Sequence, residues 1–263
     1  MKIADILGGT KKRKKRGSRI KRIIQRSLFD AAPIKEGGNI FPNSVSFDHT
    51  KIPALMKQIN SVLAKTGSKA LPIGSGATPT PGKISGDLDM IVDMDQLKKH
   101  FGMEDQKDPV IRKKLRQVFD LAGFNTGQSG TSVHVEVPDG NETHQIDIMV
   151  VPNAETAAKF HTHNIPQGSK FKGVNKMITL AKLAKDQNML WSPYQGLFSR
   201  DANGKKADLI SNNLDEIAKK LLGPNASGKD LGSVEAIMAA LGKEKGDALL
   251  ADLRSDPNWK ELD

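Results

Sequence analysis

Apolar residues recur along this chain with two spacings, and the changes between them outline its elements. From His49 to about Lys65 the positions Ile52, Leu55, Met56, Ile59 and Leu63 return every three or four residues, which predicts a helix. Leu71-Pro72-Ile73 predicts a short strand running into Gly74-Ser75-Gly76, and a loop rich in Thr, Pro and Gly fills 77–86. At Asp87 the spacing drops to two: Leu88, Met90 and Val92 alternate with acids up to Asp93, which predicts a strand with one apolar face. Helical spacing returns over 95–101 and 109–122. Strands are predicted at 131–137 and 144–151, joined through the turn signal Pro138-Asp139-Gly140-Asn141. After Pro152 the spacing is helical over 153–160, 173–188, 213–222, 231–241 and 246–253. Strands early and helices late predict an α+β protein: a small mixed sheet flanked by helices, followed by a helical C-terminal part.

Charge changes the picture only at one end. The formal net charge is +10, yet residues 1–26 hold eleven Lys and Arg against Asp5 alone, and residues 27–263 hold 29 basic and 29 acidic residues. The basicity therefore belongs to an N-terminal tail. Its densest part, Lys11-Lys12-Arg13-Lys14-Lys15-Arg16, is a block that phosphate would neutralise, so nucleic acid is its expected partner. Ile20, Ile23, Ile24 and Leu28 predict a basic amphipathic helix over 18–29, before a Gly- and Pro-rich linker at 32–44. No apolar run approaches the roughly 18 residues of a membrane span, and no membrane partner or export signal is expected. The chain has no cysteine, which removes disulfides, thiolate zinc sites and cysteine nucleophiles. A reducing compartment is expected: the cytoplasm, or the host cytoplasm if the chain is virally encoded.

The acids on the alternating strands carry the chemistry. With Leu88, Met90 and Val92 turned inward, Asp87 and Asp89 share the outer face about 7 Å apart along the strand. Carboxylates that close repel unless a cation lies between them or one is protonated. The segment Gln145-Ile146-Asp147-Ile148-Met149-Val150 repeats the design with Asp147 outward. If both strands lay their apolar faces on one core, Asp147 joins Asp87 and Asp89. Oxygen ligands favour magnesium or manganese, and such a trio can hold two ions. One ion acidifies an attacking hydroxyl, and the other neutralises a triphosphate and its departing pyrophosphate.

Leu71-Pro72-Ile73-Gly74-Ser75, then Asp87-x-Asp89 with eleven residues between Ser75 and Asp87, then the apolar-Asp-apolar unit at 146–148, together resemble a known signature. It is that of the DNA-polymerase-beta-like nucleotidyltransferase superfamily, and the likeness covers residues 47–190. The resemblance implies a nucleotidyltransferase core, catalytic and metal-holding roles for Asp87, Asp89 and Asp147, and a nucleoside triphosphate such as ATP at Gly74 and Ser75. Gly74 and Gly76 let backbone approach phosphate oxygens, and the Ser75 hydroxyl supplies a donor. Lys83 could meet the triphosphate or lie solvated in its loop. Lys172 and Asn175, opening the helix at 173–188, could hold phosphate or sugar, the alternative being a solvated helix face. The aromatic unit Trp191–Phe198 could stack a base or pack helices on the sheet. Three parts are expected: a tail and linker at 1–45, a catalytic domain at 46–190 and a helical region at 191–263.

These expectations converge on transfer of a nucleoside monophosphate to an acceptor hydroxyl with release of pyrophosphate. The tail favours a nucleic-acid acceptor, with a protein side chain or a small molecule as alternatives. A contrasting expectation is a nucleic-acid-binding or virion-associated protein whose nucleotidyltransferase fold is purely structural. His161-x-His163 does not suit zinc, and Gly74-Ser75-Gly76-Ala77-Thr78 lacks the Gly-Lys-Ser/Thr ending of a P-loop.

Overall fold

The computed structural model describes residues 40–162 and 165–262. The basic run at 11–16, the helix expected over 18–29 and His163 lie outside the described residues. The strands are β1 Phe47–Asp48, β2 Leu71–Pro72, β3 Ile84–Ser85, β4 Asp87–Asp93, β5 Asn125–Ser129, β6 Ser132–Asp139, β7 Glu142–Val151, β8 Met189–Ser192, β9 Gly196–Arg200 and β10 Lys206–Ser211. The helices are α1 Ile52–Leu63, α2 Met94–Phe101, α3 Asp108–Leu121, α4 Ala154–His161, α5 Gly173–Asp186, α6 Leu214–Leu222, α7 Val234–Leu241 and α8 Lys243–Leu253. This is an α+β fold with a small mixed sheet.

The alternating strands build the main sheet in the order β2-β4-β7-β6-β5. β4 and β7 run parallel, with Leu88 opposite Ile146 and Asp89 opposite Asp147. The other pairings are antiparallel. One face is apolar throughout: Leu88, Met90, Val92, Val133, Val135, Val137, Ile146, Ile148 and Val150 pack against α1 and α3 through Ile52, Leu55, Ile59, Ile111, Leu115 and Phe119. Each such side chain taken wholly out of water contributes about 1.5–3 kcal/mol, so this face fixes the register.

The second face changes character along its length. Beyond the carboxylates, Ile91 and Val151 sit under α4 with Ile73, Ala154 and Ala157. Asp93 ties this end together: it accepts from Gln96 N at 3.0 Å and from Ala154 N at 3.3 Å. One carboxylate thus satisfies amides at the starts of both α2 and α4.

Two differences from the sequence reading stand out. β5, with the sequence Asn-Thr-Gly-Gln-Ser, pairs antiparallel with β6 although it lacks apolar alternation. Within the region 191–263 expected to be helical, and just before it, residues 189–211 form a three-stranded antiparallel sheet in the order β10-β9-β8. This sheet shares a second core with α5 to α8, holding Leu180, Leu183, Trp191, Leu197, Ile217, Leu221, Ile237 and Trp259. Trp191 is buried edge-on to Phe160, with ring centres 5.0 Å apart, so it packs the core and presents no face to a base. Helix α5, expected inside the catalytic domain, contributes to this second core. No helix among the described residues is long and apolar enough to cross a membrane.

Candidate metal centre

The parallel pairing of β4 and β7 places Asp89 directly opposite Asp147, and Asp87 two residues back on the same face. Carboxylate oxygens of Asp87, Asp89 and Asp147 all lie within 4.8 Å of one another. Burial and then the Asp147 charge push the Asp87 carboxyl up to about 6. Burial, followed by Asp87 and Asp147, pushes Asp89 up to about 7. A half-buried site with three acids this close disfavours full ionisation unless positive charge is supplied.

Asp147 is the most firmly held of the three. Its Oδ1 accepts from His134 Nδ1 at 2.7 Å and from Gln145 Nε2 at 2.9 Å. His134 lies opposite Asp147 in the β6–β7 hairpin, and its Nε2 meets Ser129 Oγ at 2.7 Å. Gln145 is itself fixed by Ile40 N donating to its Oε1 at 3.1 Å. Two donors on one oxygen leave Oδ2 for a further ligand. His134 and Gln145 were not singled out from sequence. The signal was present: a turn centred on Gly140-Asn141 pairs residue 137 with 144 and therefore 134 with 147.

The Gly74–Ala77 turn borders the carboxylates. Ile73 N donates to Asp89 O at 3.0 Å, which fastens the turn to β4. Gly74 has φ +57°, and a side chain there would begin 4.0 Å from Asp89 Oδ2. At Gly76 a Cβ would run into Leu88 Cδ1, so a side chain there requires the buried Leu88 to shift. Ser75 is exposed and its Oγ lies 3.2 Å from Ser85 Oγ.

The structure distributes the remaining expected residues unevenly. Lys83 is exposed on the loop after this turn, and its carbonyl accepts from His49 N at 3.0 Å. Lys172 is exposed and precedes α5. Asn175 is wholly buried: Oδ1 accepts from Lys172 N at 2.9 Å and Nδ2 donates to Lys260 O at 3.0 Å. Its amide thus serves the helix start and the C-terminal segment. Among the described residues no hydrogen bond links Lys172 or Asn175 to the three carboxylates.

A second acidic cluster, Asp139, Glu142 and His144, is also compact. Lys51 Nζ already occupies it, at 2.9 Å from Asp139 and 2.8 Å from Glu142. It fastens the segment entering α1 to the hairpin and is a clasp, not a cation site.

The donor set at Asp87, Asp89 and Asp147 fits a hard divalent ion. It offers carboxylate oxygens alone, held by parallel strands, with mutual repulsion that such an ion removes. No protein-family model matches this chain, and no curated protein matches it. Among solved structures it is similar to a crystal structure of Leishmania infantum polymerase beta in a ternary P/T complex. The TM-score is 0.46 and the identity 13%, over 80% of this chain and 87% of that chain.

Proposed function

We propose that this protein is a divalent-metal-dependent nucleotidyltransferase. It would move a nucleoside monophosphate from a nucleoside triphosphate to an acceptor hydroxyl, with nucleic acid as the acceptor. One observation carries the reading: three carboxylates within 4.8 Å, on two parallel strands, beside a Gly-Ser turn packed closely on β4 at Gly76. Magnesium or manganese bound there supplies charge neutralisation for the triphosphate and acidifies the attacking hydroxyl. Asp87, Asp89 and Asp147 would hold the ions, and His134 with Gln145 keeps Asp147 from rotating. Gly74 and Ser75 offer backbone and hydroxyl donors to phosphate oxygens. Lys83 and Lys172 are the exposed cations we assign to the triphosphate. In the net reaction the acceptor oxygen loses its proton to solvent and bonds to the α-phosphorus, the bond to the bridging oxygen breaks, and pyrophosphate leaves. The residues at 11–16 would draw in nucleic acid by neutralising its phosphates.

The test is incubation with each labelled nucleoside triphosphate, magnesium or manganese, and RNA, DNA, peptide or small-molecule acceptors. Transfer is expected with the wild type and not with Asp87→Ala plus Asp89→Ala. Transfer that persists in the double variant removes the carboxylates from the chemistry. Nucleic-acid binding without transfer to any acceptor favours a purely structural use of the fold.

A further inference from the structure

The turn that carries Ser75 is tied to a buried histidine with a defined hydrogen-bond polarity. His49 is 1% exposed, at the point where β1 meets β3. Thr80 N donates to His49 Nδ1 at 3.2 Å. That nitrogen is therefore an acceptor, and the proton of the neutral ring sits on Nε2. Burial and then the Lys83 charge hold this imidazole below its usual range, which keeps it neutral near pH 7. Nε2–H donates to Ser85 Oγ at 2.8 Å. Among the described residues Ser85 Oγ has one other partner, Ser75 Oγ at 3.2 Å. With His49 donating to it, Ser85 still carries its own proton, and Ser75 lies within reach of it.

With Ser85 as the donor Ser75 accepts, and apart from Ser85 its own hydroxyl proton has no protein acceptor among the described residues. The bonds run one way from the Thr80 amide through His49 to Ser85, and Ser85 in turn meets an exposed Ser75. Ser75 adjoins Gly74, whose side-chain position lies beside Asp89. A directed donor next to a carboxylate trio is completed by an anionic oxygen. A serine free to rotate would lose part of its binding contribution to being ordered; one already oriented does not.

We propose that His49 is a positioning residue that acts through Ser85 to present the Ser75 hydroxyl as a donor to a phosphate oxygen of a nucleoside triphosphate. This rests on the nucleotidyltransferase reading above. His49 touches no reacting atom in this scheme, and its effect passes entirely through Ser75.

The experiment measures triphosphate affinity by isothermal titration in calcium, using the common ribo- and deoxyribonucleoside triphosphates singly and inorganic tripolyphosphate as a base-free probe. Ser85→Ala and His49→Asn are each expected to weaken binding about five- to tenfold, about the worth of one ordinary hydrogen bond. The Asn side chain can still accept from Thr80 but is too short to reach Ser85. His49→Gln, which reaches Ser85 with an N–H, is expected to restore affinity to within about threefold. In a Ser75→Ala background, Ser85→Ala should cost less than about twofold more, because the relay has lost its end point. Nitrogen chemical shifts of the imidazole should place the proton on Nε2. Wild-type affinity in Ser85→Ala, a full further loss in the Ser75→Ala background, or a proton on Nδ1 would overturn the relay while leaving the nucleotidyltransferase reading intact. A wild type that binds no triphosphate overturns both.

Discussion

The substitution Asp89→Asn separates the stability of this site from its function. In the metal-free protein, burial and the charges of Asp87 and Asp147 push the Asp89 carboxyl from 3.8 to about 7. A carboxyl whose folded pKa lies above its unfolded value favours the folded state at low pH. That benefit is lost as pH rises through about 7. The interval from 3.8 to about 7 corresponds to about 4 kcal/mol, at about 1.36 kcal/mol per pH unit. Asparagine keeps the shape and removes the charge, and an incompletely bonded amide in its place costs about 1–3 kcal/mol. The variant should therefore be about 1–3 kcal/mol more stable than the wild type at pH 8 in EDTA. The advantage should shrink as pH falls toward 5, where Asp89 takes up its proton. Manganese should then stabilise the wild type and leave the variant nearly unchanged. Urea unfolding followed by circular dichroism at pH 5, 6.5 and 8, with EDTA or manganese, measures all of this. A variant less stable than the wild type at pH 8 in EDTA, or a difference that ignores pH, would refute the reasoning.

Other consequences are equally direct. His134→Leu removes the 2.7 Å bond to Asp147 and should weaken manganese binding about 10- to 100-fold by electron paramagnetic resonance, with His134→Asn recovering part of the loss. Gly76→Ala drives a methyl into Leu88 and should cost about 1–3 kcal/mol in thermal or urea unfolding. Deleting residues 1–26, with their eleven Lys and Arg, should weaken nucleic-acid binding and flatten its dependence on log salt; an unchanged slope would exclude the tail from the contact.

Much of the site was legible because strands with one wet face expose their polar residues in phase. Alternation in 87–93 and 145–150 was enough to bring Asp87, Asp89 and Asp147 to one surface. The turn at Gly140-Asn141 also fixed His134 opposite Asp147, a consequence that was there to be drawn. β5 was hidden because Asn125–Ser129 has no apolar face; its ladder comes from the neighbouring β6. β8 to β10 were hidden by shortness and by β10, whose residues 206–210 are exposed and so carry no alternation. Asn175 could not be placed from sequence, since the group it serves, Lys260 O, lies 85 residues away. The same is true of His49 and Ser85, which are 36 residues apart and meet only when β1 pairs with β3.

The central claim concerns the α-phosphorus. The decisive measurement compares α-labelled with γ-labelled nucleoside triphosphate in the presence of manganese and a nucleic-acid acceptor. The α label should become covalently attached to the acceptor, and the γ label should leave as pyrophosphate. Both signals should vanish in Asp147→Asn. Transfer of the γ label to the acceptor, or undiminished α transfer in Asp147→Asn, would contradict the account.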